Sequence, residues 1–70
     1  MIDDPLIDVG YRLRSERLSR GITQDLLAEA SGLSTDTIQR AERGEIYPKS
    51  LAKMASALGM RLIINLEPKE

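Results

Sequence analysis

Within six residues, Thr35, Asp36, Gln39 and Arg40 bring together a hydroxyl, a carboxylate, a carboxamide and a guanidinium. Catalysis is a poor use for that set. The 70-residue chain has no histidine and no cysteine, and its carboxylates lie at helix caps and near the termini rather than as a convergent pair. Without cysteine there is no disulfide framework and no thiolate metal site, so neither a metal nor a cofactor is expected. The four groups suit hydrogen bonding to base edges in a DNA major groove. Arg40 can fork onto guanine O6 and N7, and Asp36 can accept from cytosine N4 or, by repelling phosphates, act as a discriminator.

Such a role needs a short helix that turns these residues outward, and the stretch from Thr23 to Gly44 provides one. Thr23 is a capping type whose hydroxyl can accept an orphan helix N–H, and Leu27, Ala28 and Ala30 follow at helical spacing. Gly32 then ends that helix, being free to adopt positive φ. Ser34 caps the next helix, Ile38 and Ala41 share its inner face, and Gly44 closes it. With that face inward, Thr35, Asp36, Gln39 and Arg40 point out. The helix-turn-helix is placed at residues 23–43. A small Ala28 allows two helices to cross closely.

Arg17, Gly21-Ile22-Thr23-Gln24, Leu27-Ala28, Gly32-Leu33-Ser34, Ile38, Glu42, Gly44, Pro48 and Leu58-Gly59 together resemble the lambda Cro/repressor-type (XRE) helix-turn-helix family. The match runs without gaps over roughly residues 9 to 59. The resemblance implies a four-helix, lambda-repressor-like domain occupying residues 1–70, mainly α. It also implies phosphate contacts by Gln24 and Arg43, with Ser34 and Lys49 as further candidates, and base contacts by the outward face of the second helix of the motif. Arg17 continues the Val9-Leu13 stripe of the first helix by four residues. Periodicity alone fits either a solvated arginine with its stem on apolar neighbours or a paired one; the resemblance implies an ion pair with Glu42. Two positions depart from the family pattern. Leu26 stands where a glutamate usually completes a capping box, as a surface leucine or part of a partner-binding patch, and Ser31 replaces a residue that is more often apolar.

The flanking elements read as follows. Asp4-Pro5 starts a helix that runs to about Ser19 or Arg20, with Gly21 as its stop and Gly10 inside it, at a position that in the family lies near a helix contact. Arg12, Arg14 and Arg20 are the remaining basic residues of that helix, a solvated face from which one or two reach phosphates. No helix should cross Tyr47-Pro48. Ser50 is expected to cap a fourth helix with the inward stripe Leu51, Met54, Ala55 and Leu58, ended by Gly59. Residues 60–67, Met-Arg-Leu-Ile-Ile-Asn-Leu-Glu, alternate as a β-strand that places Leu62, Ile64 and Leu66 on one face. A lone strand lacks hydrogen-bond partners. Pairing with a second copy across a two-fold axis supplies them, while a frayed helix packed on the core is the other reading. The paired strand resembles HipB-like antitoxins.

The formal net charge is −1, unevenly spread. Tyr11 to Arg61 holds nine basic and six acidic residues, a net of +3, whereas Asp3, Asp4, Asp8, Glu67 and Glu70 face Lys69 alone at the ends. The expectation is therefore a cytoplasmic, homodimeric repressor that reads a pseudo-palindromic operator in double-stranded DNA. Its expected role is that of an autoregulating antitoxin with a HipA-type toxin as possible partner and no membrane association. A stand-alone phage-like or metabolic repressor is the alternative, as is a protein-interaction module on the same fold.

Overall fold

A computed structural model describes residues 5–45, 47–63 and 68. Four helices follow one another: α1 (Pro5–Ser19), α2 (Gln24–Ser31), α3 (Thr35–Glu42) and α4 (Pro48–Ala57). None of them is long and apolar enough to cross a membrane. Each of the four stops in the same way. A glycine with positive φ (Gly21, Gly32, Gly44, Gly59) follows the last turn. The next residue then donates its N–H back to a carbonyl five residues earlier: Ile22 to Arg17, Leu33 to Ala28, Glu45 to Arg40 and Met60 to Ala55, at 2.8–3.1 Å. This closure satisfies the last orphan carbonyls, and its left-handed residue is why glycine stands there.

The helix starts are less uniform. Thr23 and Ser34 cap as expected, their hydroxyl oxygens accepting from the N–H of Leu26 and Thr37 at 3.1 Å. The fourth helix corrects the sequence reading. It begins at Pro48, two residues before the expected cap Ser50, and Tyr47 is an extended N-cap without a side-chain bond. Proline's fixed φ and missing N–H suit the first helical position, so it starts the helix without a capping hydroxyl. Ser50 and Lys49 consequently lie in the first turn.

Leu13, Leu27, Ala28, Ile38, Ala41, Leu51, Met54, Ala55 and Leu58 form one buried core. α2 packs on α3 and α4, and α1 packs on the same two. Each large aliphatic side chain removed from water contributes about 1.5–3 kcal/mol. Helices α1 and α3 approach closely at Gly10, where a β-carbon would collide with the carbonyl oxygen of Ala41. Because the obstacle is backbone, the helices would have to separate. Gly10→Ala is expected to lower stability by about 1–3 kcal/mol, against alanine's helix preference of about 1 kcal/mol. A urea midpoint that rises in this variant would contradict the close crossing.

Beyond Gly59, Met60 and Leu62 are partly buried against the core, and Ile63 is exposed. No strand is present among the described residues, and Met60 to Ile63 run as irregular chain. Ile64 and Leu66, on which the strand expectation also rests, lie outside the described residues. Leu62 is already engaged by its own chain's core.

Candidate nucleic-acid interface

The inner face of α3 carries Ile38 and Ala41, fully or nearly buried, and this orients everything on its outer face. Asp36, Gln39 and Arg40 are exposed and Thr35 is half-buried. The structure thus brings the four expected base readers onto one short helix, as the spacing predicts.

Behind them runs a chain of hydrogen bonds that starts in α1. Arg17 is 6% exposed and Glu42 4%, a degree of burial that for two charges requires close pairing. Arg17 Nε donates to Glu42 Oε2 at 2.7 Å and Nη2 donates to Oε1 at 3.0 Å, a two-pronged contact. Its remaining nitrogen, Nη1, donates to the carbonyl of Ile22 at 2.8 Å. Glu42 Oε1 also accepts from Gln24 Nε2 at 3.1 Å, and Gln24 Oε1 accepts from Gln39 Nε2 at 3.3 Å. The first helix therefore sets the tilt of a glutamine on the outer face of α3. No buried side-chain nitrogen or oxygen is left unpaired among the described residues.

Two of the outer-face residues are held by carboxylates. Thr35 Oγ1 donates to Asp25 Oδ1 at 2.7 Å, across from α3 to α2. Arg40 pairs with Asp36 one turn earlier through Nε at 3.0 Å. That contact leaves both terminal nitrogens of Arg40 available, the pair a guanine edge requires.

Beside α3, an open cleft of about 280 Å³ is lined by Arg14, Gln24, Gln39, Glu42 and Arg43. The negative charge of Glu42 is matched by Arg17, so Arg14 and Arg43 leave the cleft positive. Arg43 is exposed, with Glu45 3.8 Å away, and Arg14 lies 4.0 Å from Glu42 Oε1. Helix α2 opens at the same place, and the N-terminal end of a helix favours anions. Ser34 is exposed, but its hydroxyl is engaged by the N–H of Thr37 and lies 2.9 Å from the Thr37 hydroxyl. Lys49 is exposed on α4 and is not part of this cleft.

The other arginines of α1, Arg12 and Arg14, and Arg20 just beyond its end divide among different tasks. Arg14 joins the cleft. Arg20 instead donates to the carbonyl of Leu58 and pairs with Glu16 at 3.4 Å, fastening the end of α4. Arg12 lines a separate apolar groove with Val9, Leu13, Ala55 and Leu62. Arg14 lies three residues before Arg17 and shares its helix face, but Arg20, three residues after, has the same spacing, so the sequence does not single out Arg14. The Asp25–Thr35 bond has no sequence signal either.

A sequence model of a helix-turn-helix family matches residues 13–64, most of the chain. No curated protein matches it.

Proposed function

This chain belongs to the XRE-type helix-turn-helix family of DNA-binding transcription regulators, and on that premise we propose that it is a repressor acting as a homodimer on a pseudo-palindromic operator. The observation that carries this reading is the outer face of α3, with Gln39 tied through Gln24 and Glu42 to Arg17 and a positive cleft alongside. Thr35, Asp36, Gln39 and Arg40 read base edges. Gln39 gives one N–H to Gln24, which leaves its other N–H and its oxygen for the two-point contact an adenine offers. Gln24, Arg43 and Arg14 take phosphates, with Ser34 and Lys49 at the margins, and these contacts set register and affinity rather than sequence.

Two copies would place their recognition helices about 34 Å apart, one turn of duplex. The alternating sequence of the tail is what favours the dimer. Leu62 covers the core from one side, and a strand continuing from it through Ile64 and Leu66 would present a free backbone edge to a second copy. That tail also supports the narrower reading of an autoregulating, HipB-like antitoxin with a HipA-type toxin as partner.

Arg40→Ala tests the base-reading assignment. The substitution is expected to cost about 1–3 kcal/mol on a preferred duplex and to relax one base position. Gel-shift titrations on the preferred duplex and its single-base variants measure both. An equal loss on every duplex would assign Arg40 to phosphate, and no loss at all would favour a protein-interaction module on the same fold.

A further inference from the structure

We propose that Asp25, on α2, determines which bases Thr35 accepts, by holding the single proton of the Thr35 hydroxyl. This rests on the assignment of α3 as the base-reading helix. A threonine hydroxyl has one proton to give and two lone pairs to receive with. In this structure the proton is directed at Asp25 Oδ1 at 2.7 Å, a short bond to an ionised acceptor. Asp25 lies in the first turn of α2 and Thr35 is the first residue of α3, so the bond runs between helices. Neither residue has another side-chain hydrogen-bond partner among the described residues. The Thr35 oxygen therefore meets the groove as an acceptor only.

The major groove presents few groups that satisfy such an oxygen. Cytosine N4 and adenine N6 are donors, whereas guanine O6 and N7 and thymine O4 are acceptors that would face a lone pair. Thr35 thus selects cytosine or adenine and disfavours guanine or thymine. Asp25 need not touch a base, and it acts as a positioning residue. Without it, the hydroxyl can rotate and donate, and its base selectivity disappears. The bond could alternatively tie the first turns of α2 and α3 together and do nothing else, in which case the base preference would not depend on it.

Selection from a randomised duplex library with the full chain, followed by sequencing of the bound fraction, separates the two. The position that Thr35→Val levels identifies the base read by Thr35. There the wild-type chain is expected to favour cytosine or adenine by roughly fivefold to 100-fold. Asp25→Ala should reduce that preference to about twofold or less, leaving the position read by Arg40 unchanged and the chain folded, as a melting curve with a cooperative transition reports. Asp25→Asn, whose carbonyl oxygen still accepts a hydrogen bond, should retain the preference. An unchanged preference in Asp25→Ala, a preference lost in Asp25→Asn, or a uniform loss at all positions would overturn this role for Asp25 alone. A wild-type chain that enriches no sequence would overturn the base-reading assignment with it.

Discussion

Glu42→Ala is expected to remove about 3–5 kcal/mol of folding stability, because it leaves the Arg17 guanidinium buried and unpaired. A domain of this size has on the order of 5 kcal/mol in total, so the variant should keep no more than about 2 kcal/mol and be only marginally folded at room temperature, as seen by circular dichroism and urea titration. The pair's own net contribution is much smaller. Replacing both partners together, Arg17→Met with Glu42→Leu, should restore most of the stability, since apolar side chains of similar volume remove both desolvation costs. It should not restore DNA binding. Gln24 loses the acceptor that orients it, and Gln39 loses its fixed neighbour. A folded double variant that binds DNA as tightly as wild type would show that the hydrogen-bond chain from α1 to α3 has no part in recognition. A loss below about 1 kcal/mol for Glu42→Ala would contradict the buried pairing itself.

Truncation after Ile63 is expected to yield a folded monomer whose affinity for a two-half-site duplex is lower by a factor of about 10² to 10⁴. The cut is placed there because Met60 and Leu62 are partly buried against the core and must be kept. Binding of one recognition helix makes the second binding event intramolecular, and separating the copies forfeits that advantage without changing a single contact to DNA. Sedimentation velocity reports the oligomeric state and a melting curve reports the fold. A truncated chain that still sediments as a dimer, with a wild-type melting curve, would remove the tail from the dimer interface.

Much of this fold could be read from local signals. Glycines at 21, 32, 44 and 59 marked the helix ends because a positive-φ residue is needed at each, and Thr23 and Ser34 marked two starts through their hydroxyls. The stripe Leu51, Met54, Ala55 and Leu58 marked the buried face of α4. The start of α4 was misplaced because two legitimate signals compete within three residues. Pro48 and Ser50 both favour a helix start, and only the backbone geometry shows that proline takes the position. Pairing of Arg17 with Glu42 could not be read from periodicity, which is silent on contacts 25 residues apart; the family resemblance supplied it. Arg14 and Arg20 look equivalent in sequence, yet one faces the cleft and the other fastens α4. The bond between Asp25 and Thr35 is wholly tertiary, set by how α2 crosses α3, and no single helix predicts it.

Charge bears on how binding should be measured. The central segment carries a net of only +3 against acidic ends, and Asp25 and Asp36 lie against Thr35 and Arg40 on the face proposed to read bases. Affinity from phosphates is therefore modest and salt-sensitive, and discrimination must come from the outer face of α3. The most direct test of the central claim is a fluorescence-anisotropy titration at two salt concentrations, comparing the duplex upstream of the coding sequence with a shuffled duplex. A repressor of its own operon should prefer the upstream duplex by several kcal/mol and bind both more weakly as salt rises. Equal binding to the two would contradict autoregulation, and no binding to either at low salt would contradict DNA recognition by α3.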